Sequence, residues 1–149
     1  MTELFVYGTL TTGGKWHHLL ENEPLLGKDK VEGALYLEKG GYLPILFVGT
    51  DLIAGEVYSV SLDAYKAVVD LEGDADYDVV TVMSVGGRAV TVFYFKDETQ
   101  KNPDQKIEEF DAAAYFQKWL AATPPDSPSF REFIRLGGSA PTQDEPLDH

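Results

Sequence analysis

LIAGEVYSVSLDAYKAVVDLEG, residues 52 to 73, changes period part-way. Residues 52 to 60 read as a strand, with Glu56 on the same face as Ala54, Tyr58 and Val60. From residue 61 the spacing becomes helical: Leu62, Tyr65, Val68 and Val69 share one face. Ser61 suits the N-cap, Asp63 sits in the first turn, and Gly73 suits the position just past the helix end. A strand feeding a helix once, rather than repeatedly, does not read as an alternating βα chain.

Working outward, strands dominate. Leu4 to Tyr7 form a first apolar run that enters the loop Gly8-Thr9-Leu10-Thr11-Thr12-Gly13-Gly14. Residues 15 to 22 carry Trp16, Leu19 and Leu20 at helical spacing, so a short helix is expected. Residues 29 to 38 alternate as a strand. Residues 42 to 48 are apolar, but Pro44 demotes them to an edge or irregular piece. Residues 77 to 85 and 88 to 95 read as a hairpin with a two-residue turn at Gly86-Gly87. A last helix is expected over residues 107 to 121. Together these predict an α+β fold with a closed or nearly closed sheet. The expected division is one domain over 1–122, then a Pro-rich linker and C-terminal tail over 123–149. Within the tail, FREFIRL is expected to dock as one more helical turn, and residues 137 to 149 to be disordered.

Composition excludes several classes of function. With 25 Asp plus Glu against 12 Lys plus Arg, the net charge of -13 disfavours nucleic acid and anionic membranes as partners. The absence of cysteine removes disulfides, thiolate nucleophiles and Cys-based zinc sites. No apolar run approaches the ~20 residues that span a bilayer. The N-terminus shows no basic segment followed by an apolar run. A soluble, cytoplasmic protein is the expectation.

Four features bear on chemistry. The glycine- and threonine-rich loop is either a plain β-turn or a backbone cradle for a small anion. It matches neither dinucleotide nor P-loop patterns. The acidic run DLEGDADYD, residues 70 to 78, fails the EF-hand pattern, because the sixth and twelfth positions from Asp74 are Val79 and Val85. Within it, Glu72 stands at the end of the predicted helix. There the dipole and partial burial both raise a carboxylate's pKa, as suits a general base. A solvated helix end is the plainer alternative. Glu56 is the rival carboxylate, on an otherwise apolar strand face, where an acid needs a partner or a role. His17 and His18 are adjacent and diverge, so a zinc site is not expected.

Read together, VYGTL, GALY at 33 to 36, GYLP at 41 to 44, GEVYSV at 55 to 60, VDLEGDADY at 69 to 77 and VFY at 92 to 94 resemble the γ-glutamylcyclotransferase-like family. That family includes γ-glutamylamine cyclotransferases and AIG2-like proteins. The resemblance covers residues 4 to 95. It implies a small mixed β-barrel with flanking helices and a cavity at one side. It implies Glu72 as catalytic base, with Tyr7, Gly8, Thr9 and Leu10 holding the glutamyl group and Tyr94 as a pocket tyrosine. Trp16 stands where many members have Asn, and Val79 where many have Arg. The implied reaction is intramolecular. The α-amine of a γ-glutamyl amine or amide attacks its own γ-carbonyl and releases 5-oxoproline and the free amine, with no cofactor and no metal. A small γ-glutamyl compound is then the expected partner. Two alternatives stay open: a non-catalytic small-molecule binding module on the same fold, and a calcium-binding acidic protein.

Overall fold

The computed structural model describes residues 2–37, 43–72, 76–107 and 109–138. In chain order the main elements are β1 (Thr2–Val6), β2 (Leu25–Leu37), β3 (Pro44–Val60), α1 (Leu62–Glu72), β4 (Tyr77–Met83), β5 (Ala89–Phe95), β6 (Lys106–Ile107), α2 (Ala112–Ala122) and α3 (Pro128–Arg135). They build one six-stranded mixed sheet in the order β4-β5-β1-β3-β2-β6. β1 runs parallel to β5, and the other pairs are antiparallel. The expected α+β class holds. The sheet is not closed, however: β4 and β6 remain as edges, so it is a curled open sheet rather than a complete barrel.

The curl comes from β3. Its 17 residues pair along the 13 of β2, with a break where Gly33 partners Asp51 but Ala34 partners Phe47. Val48, Gly49 and Thr50 have no partner in that ladder, and an unpaired insertion bends the strand that carries it. Gly49 permits the bend, because a Cβ there would lie 2.8 Å from the backbone of Gly33. Residue 42 lies outside the described residues, but the rest of the expected 42–48 run, from Pro44, and the strand at 52–60 are one strand and not separate pieces. Pro44 is the first residue of β3, where no ladder N–H is lost, so it does not mark an edge strand.

Four further expectations change. The helix over 15–22 shrinks to a single 3-10 turn, His17–Leu19. The last helix starts at Ala112, because Asp111 caps it by accepting the Ala114 N–H at 3.0 Å. Ile107 instead belongs to β6, opposite Leu35. The β4–β5 turn has three residues, with Ser84 N–H bonded to the Arg88 carbonyl and Gly87 at φ 88°. Ser61 caps α1 as expected, accepting the Ala64 N–H at 3.2 Å. Gly73 and residues 139 to 149 lie outside the described residues, as does part of the acidic run.

Each face of the sheet has its own core. Phe5, Tyr7, Val31, Leu35, Leu46, Ile53, Val57, Val90, Val92 and Tyr94 fill one side. Leu4, Val6, Leu20, Tyr58, Val60 and Phe93 pack on the other, beneath Val68 of α1. Because side chains alternate along β1, Phe5 and Tyr7 serve one core while Leu4 and Val6 serve the other. This places the loop after β1 and the end of α1 side by side.

Candidate functional site

A cavity of about 260 Å³ opens where β1, α1, β3 and the β4–β5 hairpin meet. Tyr7, Gly8, Thr9 and Leu10 line it from one side, and Glu72 from another. Tyr77, Phe93, Phe95, Pro44 and Gln100 complete the wall. Four of the expected binding residues and the expected base thus share one small chamber.

Glu72 is half-buried, and among the described residues no Lys or Arg pairs with it. Burial pushes its carboxyl up to about 6, and a hydrogen bond from Tyr77 opposes part of that shift. Tyr7 is buried as well. Burial holds its hydroxyl well above the ordinary phenol range, and the neighbouring Tyr77 and Glu72 add to the effect. The Tyr7 phenol therefore stays protonated near the carboxylate to which Tyr77 donates.

The loop is built to fix its own peptide planes. The Gly8 carbonyl accepts from the Thr11 N–H at 3.0 Å and from Thr11 Oγ1 at 2.7 Å. The Thr9 carbonyl accepts from the Trp16 N–H at 2.9 Å, and the Leu10 carbonyl lies 2.9 Å from His17 Nδ1. In a planar trans peptide the N–H points opposite to the carbonyl. Pinning the Gly8 and Thr9 carbonyls therefore fixes the directions of the Thr9 and Leu10 N–H groups. Among the described residues, none accepts a hydrogen bond from the N–H of Gly8, Thr9 or Leu10. Gly14 lets the loop close, since a Cβ there would meet the Thr9 carbonyl oxygen at 2.4 Å.

Glu56 is placed otherwise. It does not line the cavity. Its Oε1 accepts from the Thr12 N–H at 2.8 Å, from Thr12 Oγ1 at 3.2 Å and from the Tyr58 hydroxyl at 3.0 Å. The acid on the apolar face thus has partners, and it ties the loop to β3. Tyr94 also stands apart from Glu72: its hydroxyl donates to the Glu32 carbonyl at 2.7 Å, and it lines a different hollow beside β4. Its neighbours Phe93 and Phe95 face the Glu72 cavity instead. Tyr77 was not singled out by sequence. The signal for it was an aromatic side chain inside the acidic run, between Asp76 and Asp78. Among the described residues, no group of three or more His, Asp or Glu could hold a metal ion.

The family described as "Gamma-glutamyl cyclotransferase, AIG2-like" matches residues 4–117. The chain belongs to this family. Among relatives of this cyclotransferase-family chain, the gamma-L-glutamyl-butirosin B gamma-glutamyl cyclotransferase of Niallia circulans is 40% identical over 73 residues. That match spans about half of each protein, 48% of this chain and 46% of the relative. An uncharacterized protein from Pyrococcus horikoshii shares the fold at TM-score 0.61 and 24% identity, over 82% of this chain and 96% of that one. An AIG2-like protein from Mus musculus does so at TM-score 0.58 and 22% identity, over 74% and 88%. Both are likenesses of fold. No helix among the described residues is long and apolar enough to cross a membrane.

Proposed function

We propose that the chain is a γ-glutamyl cyclotransferase that closes a γ-glutamyl amine or amide on itself. The observation that carries this reading is Glu72, a carboxylate with no cationic partner among the described residues, in one cavity with the backbone of Gly8, Thr9 and Leu10. The substrate supplies both nucleophile and electrophile, so the protein has three tasks. It folds the substrate until the α-nitrogen faces the γ-carbonyl; such alignment is worth effective molarities of about 10⁵–10⁸ M. It removes protons from the α-ammonium. It stabilises the oxyanion formed as the ring closes.

Glu72 takes the first task's outcome forward as general base. At neutral pH it is ionised, yet its pKa of about 6 leaves it basic enough to accept a proton. The new bond joins the α-nitrogen to the γ-carbon, the bond to the leaving nitrogen breaks, and the protons lost by the α-ammonium end on the leaving amine through Glu72. The N–H groups of Gly8, Thr9 and Leu10 bind the α-carboxylate or the oxyanion. The cavity size suits a glutamyl group rather than a whole large substrate, so the leaving amine projects outward.

Incubating the protein with a panel of γ-glutamyl amines and γ-glutamyl amino acids tests this. Equimolar 5-oxoproline and free amine are expected from at least one member. Saturable binding across the panel with no 5-oxoproline would replace the enzyme by a binding module on the same fold.

A further inference from the structure

The loop that carries Gly8 to Leu10 is gripped on two flanks. Glu56 holds Thr12 from the sheet side. The other flank is held by the C-terminal helices. The Cβ of Ala113 in α2 lies 3.1 Å from where a side chain on Gly13 would begin. Lys15 Nζ sits 3.9 Å from the ring centroid of Trp119 in α2 and 5.0 Å from that of Trp16. Phe133 of α3 meets Trp16 edge-on at 5.5 Å and His18 at 5.8 Å. His18 Nε2 lies 3.2 Å from the Leu136 carbonyl oxygen.

α3 lies beyond residue 117, where the family match ends. It could serve only to cover an apolar patch, but its contacts argue for more. Phe133 is 1% exposed and meets Phe116, Trp119 and Phe130 of the two helices edge-on. Its other ring contacts, Trp16 and His18, fall at the 3-10 turn into which the loop runs. Trp16 is also the residue whose N–H pins the Thr9 carbonyl. A side chain locked by α3 and a backbone bond to Thr9 thus meet in one residue.

We infer that α2 and α3 form a clamp on the loop, and that Trp16 is the positioning residue through which the clamp sets the Thr9–Leu10 peptide plane for substrate. This rests on Gly8 to Leu10 being the substrate cradle. Trp16 touches no reacting atom. It acts by holding a donor in place before substrate arrives, which lowers the ordering cost of binding.

The test compares wild type with Trp16→Ala, Trp16→Phe and Phe133→Leu by amide hydrogen exchange and by steady-state 5-oxoproline release. In Trp16→Ala, exchange of the loop amides is expected to quicken about tenfold or more while β1 and β3 keep their protection. KM is expected to rise about tenfold, with the acid limb of the pH profile unmoved. Trp16→Phe keeps an aromatic edge for Phe133 and is expected to restore both. Phe133→Leu leaves the loop sequence intact and is expected to move both readouts in the direction of Trp16→Ala. Unchanged loop exchange in Trp16→Ala, or a parallel loss of protection in β1 and β3, overturns the clamp. If wild type turns over no γ-glutamyl compound, the functional reading fails, and the exchange data alone decide whether the clamp exists.

Discussion

Glu72 links stability and activity with opposite signs. Its carboxyl is raised from an ordinary 4.5 to about 6, so the fold disfavours its ionised form. The stabilising contribution is full below about pH 4.5, is lost as pH rises through about 6, and leaves a cost of roughly 2 kcal/mol above that. Glu72→Gln should therefore stabilise the protein by about 1–2 kcal/mol at pH 8 and change little at pH 4. Urea unfolding at the two pH values checks this. Tyr77→Phe removes the hydrogen bond that holds the pKa down, so the acid limb of kcat/KM should move to higher pH. Glu56 predicts a different pattern, because it is an acceptor rather than a base. Glu56→Ala strips the acceptor from Thr12 and Tyr58 and should cost about 1–3 kcal/mol, whereas Glu56→Gln keeps a carbonyl there and should cost less. Thermal melts of the two variants separate these outcomes.

Among the elements, the turn of the β4–β5 hairpin is tied to β2 through the side chain of Asp29. Asp29 accepts from Ser84 Oγ at 2.6 Å, the Gly86 N–H at 2.9 Å and its neighbour Lys30 N–H at 2.8 Å. Burial would raise its carboxyl, but these hydrogen bonds outweigh it and hold the pKa below the ordinary value. The stability it supplies is present above the ordinary carboxylate pKa and is lost as pH falls through the depressed one. Asp29→Ala should cost about 1–3 kcal/mol at pH 7 and progressively less in acid, read from unfolding midpoints. The strand and helix spanning 52 to 72 were legible because the local period and the N-cap agree there, with Ser61 at the junction. The union of 44–48 with 52–60 was not. A β-bulge at Val48 to Thr50 has no local signature beyond Gly49, and only the pairing with β2 shows one strand. Ile107 misled for a similar reason. Its spacing to Phe110 and Ala114 suits a helix, but the edge of β2 offers it hydrogen bonds that the sequence does not display.

Across the whole molecule, 25 acidic side chains face 12 basic ones, and few are paired at close range among the described residues. Self-repulsion of this kind weakens as salt shortens the Debye length from about 30 Å at 0.01 M to about 8 Å at 0.15 M. The Tm should therefore rise over that range. The candidate site was legible where its residues belong to local motifs, as with the loop after β1 and Glu72 at the end of α1. It was not legible where the chamber depends on distant packing. Tyr77 and Pro44 reach the cavity through the hairpin and β3, Gln100 reaches it from the 3-10 turn after β5, and Tyr94 lines a different hollow and bonds the Glu32 carbonyl. The most direct measurement is 5-oxoproline release by wild type and by folded Glu72→Gln, followed from about pH 5 to about pH 9. Release by wild type with an acid limb near pH 6, and its loss in Glu72→Gln, is the predicted result. Release that persists in Glu72→Gln with the same pH profile would contradict Glu72 as the base.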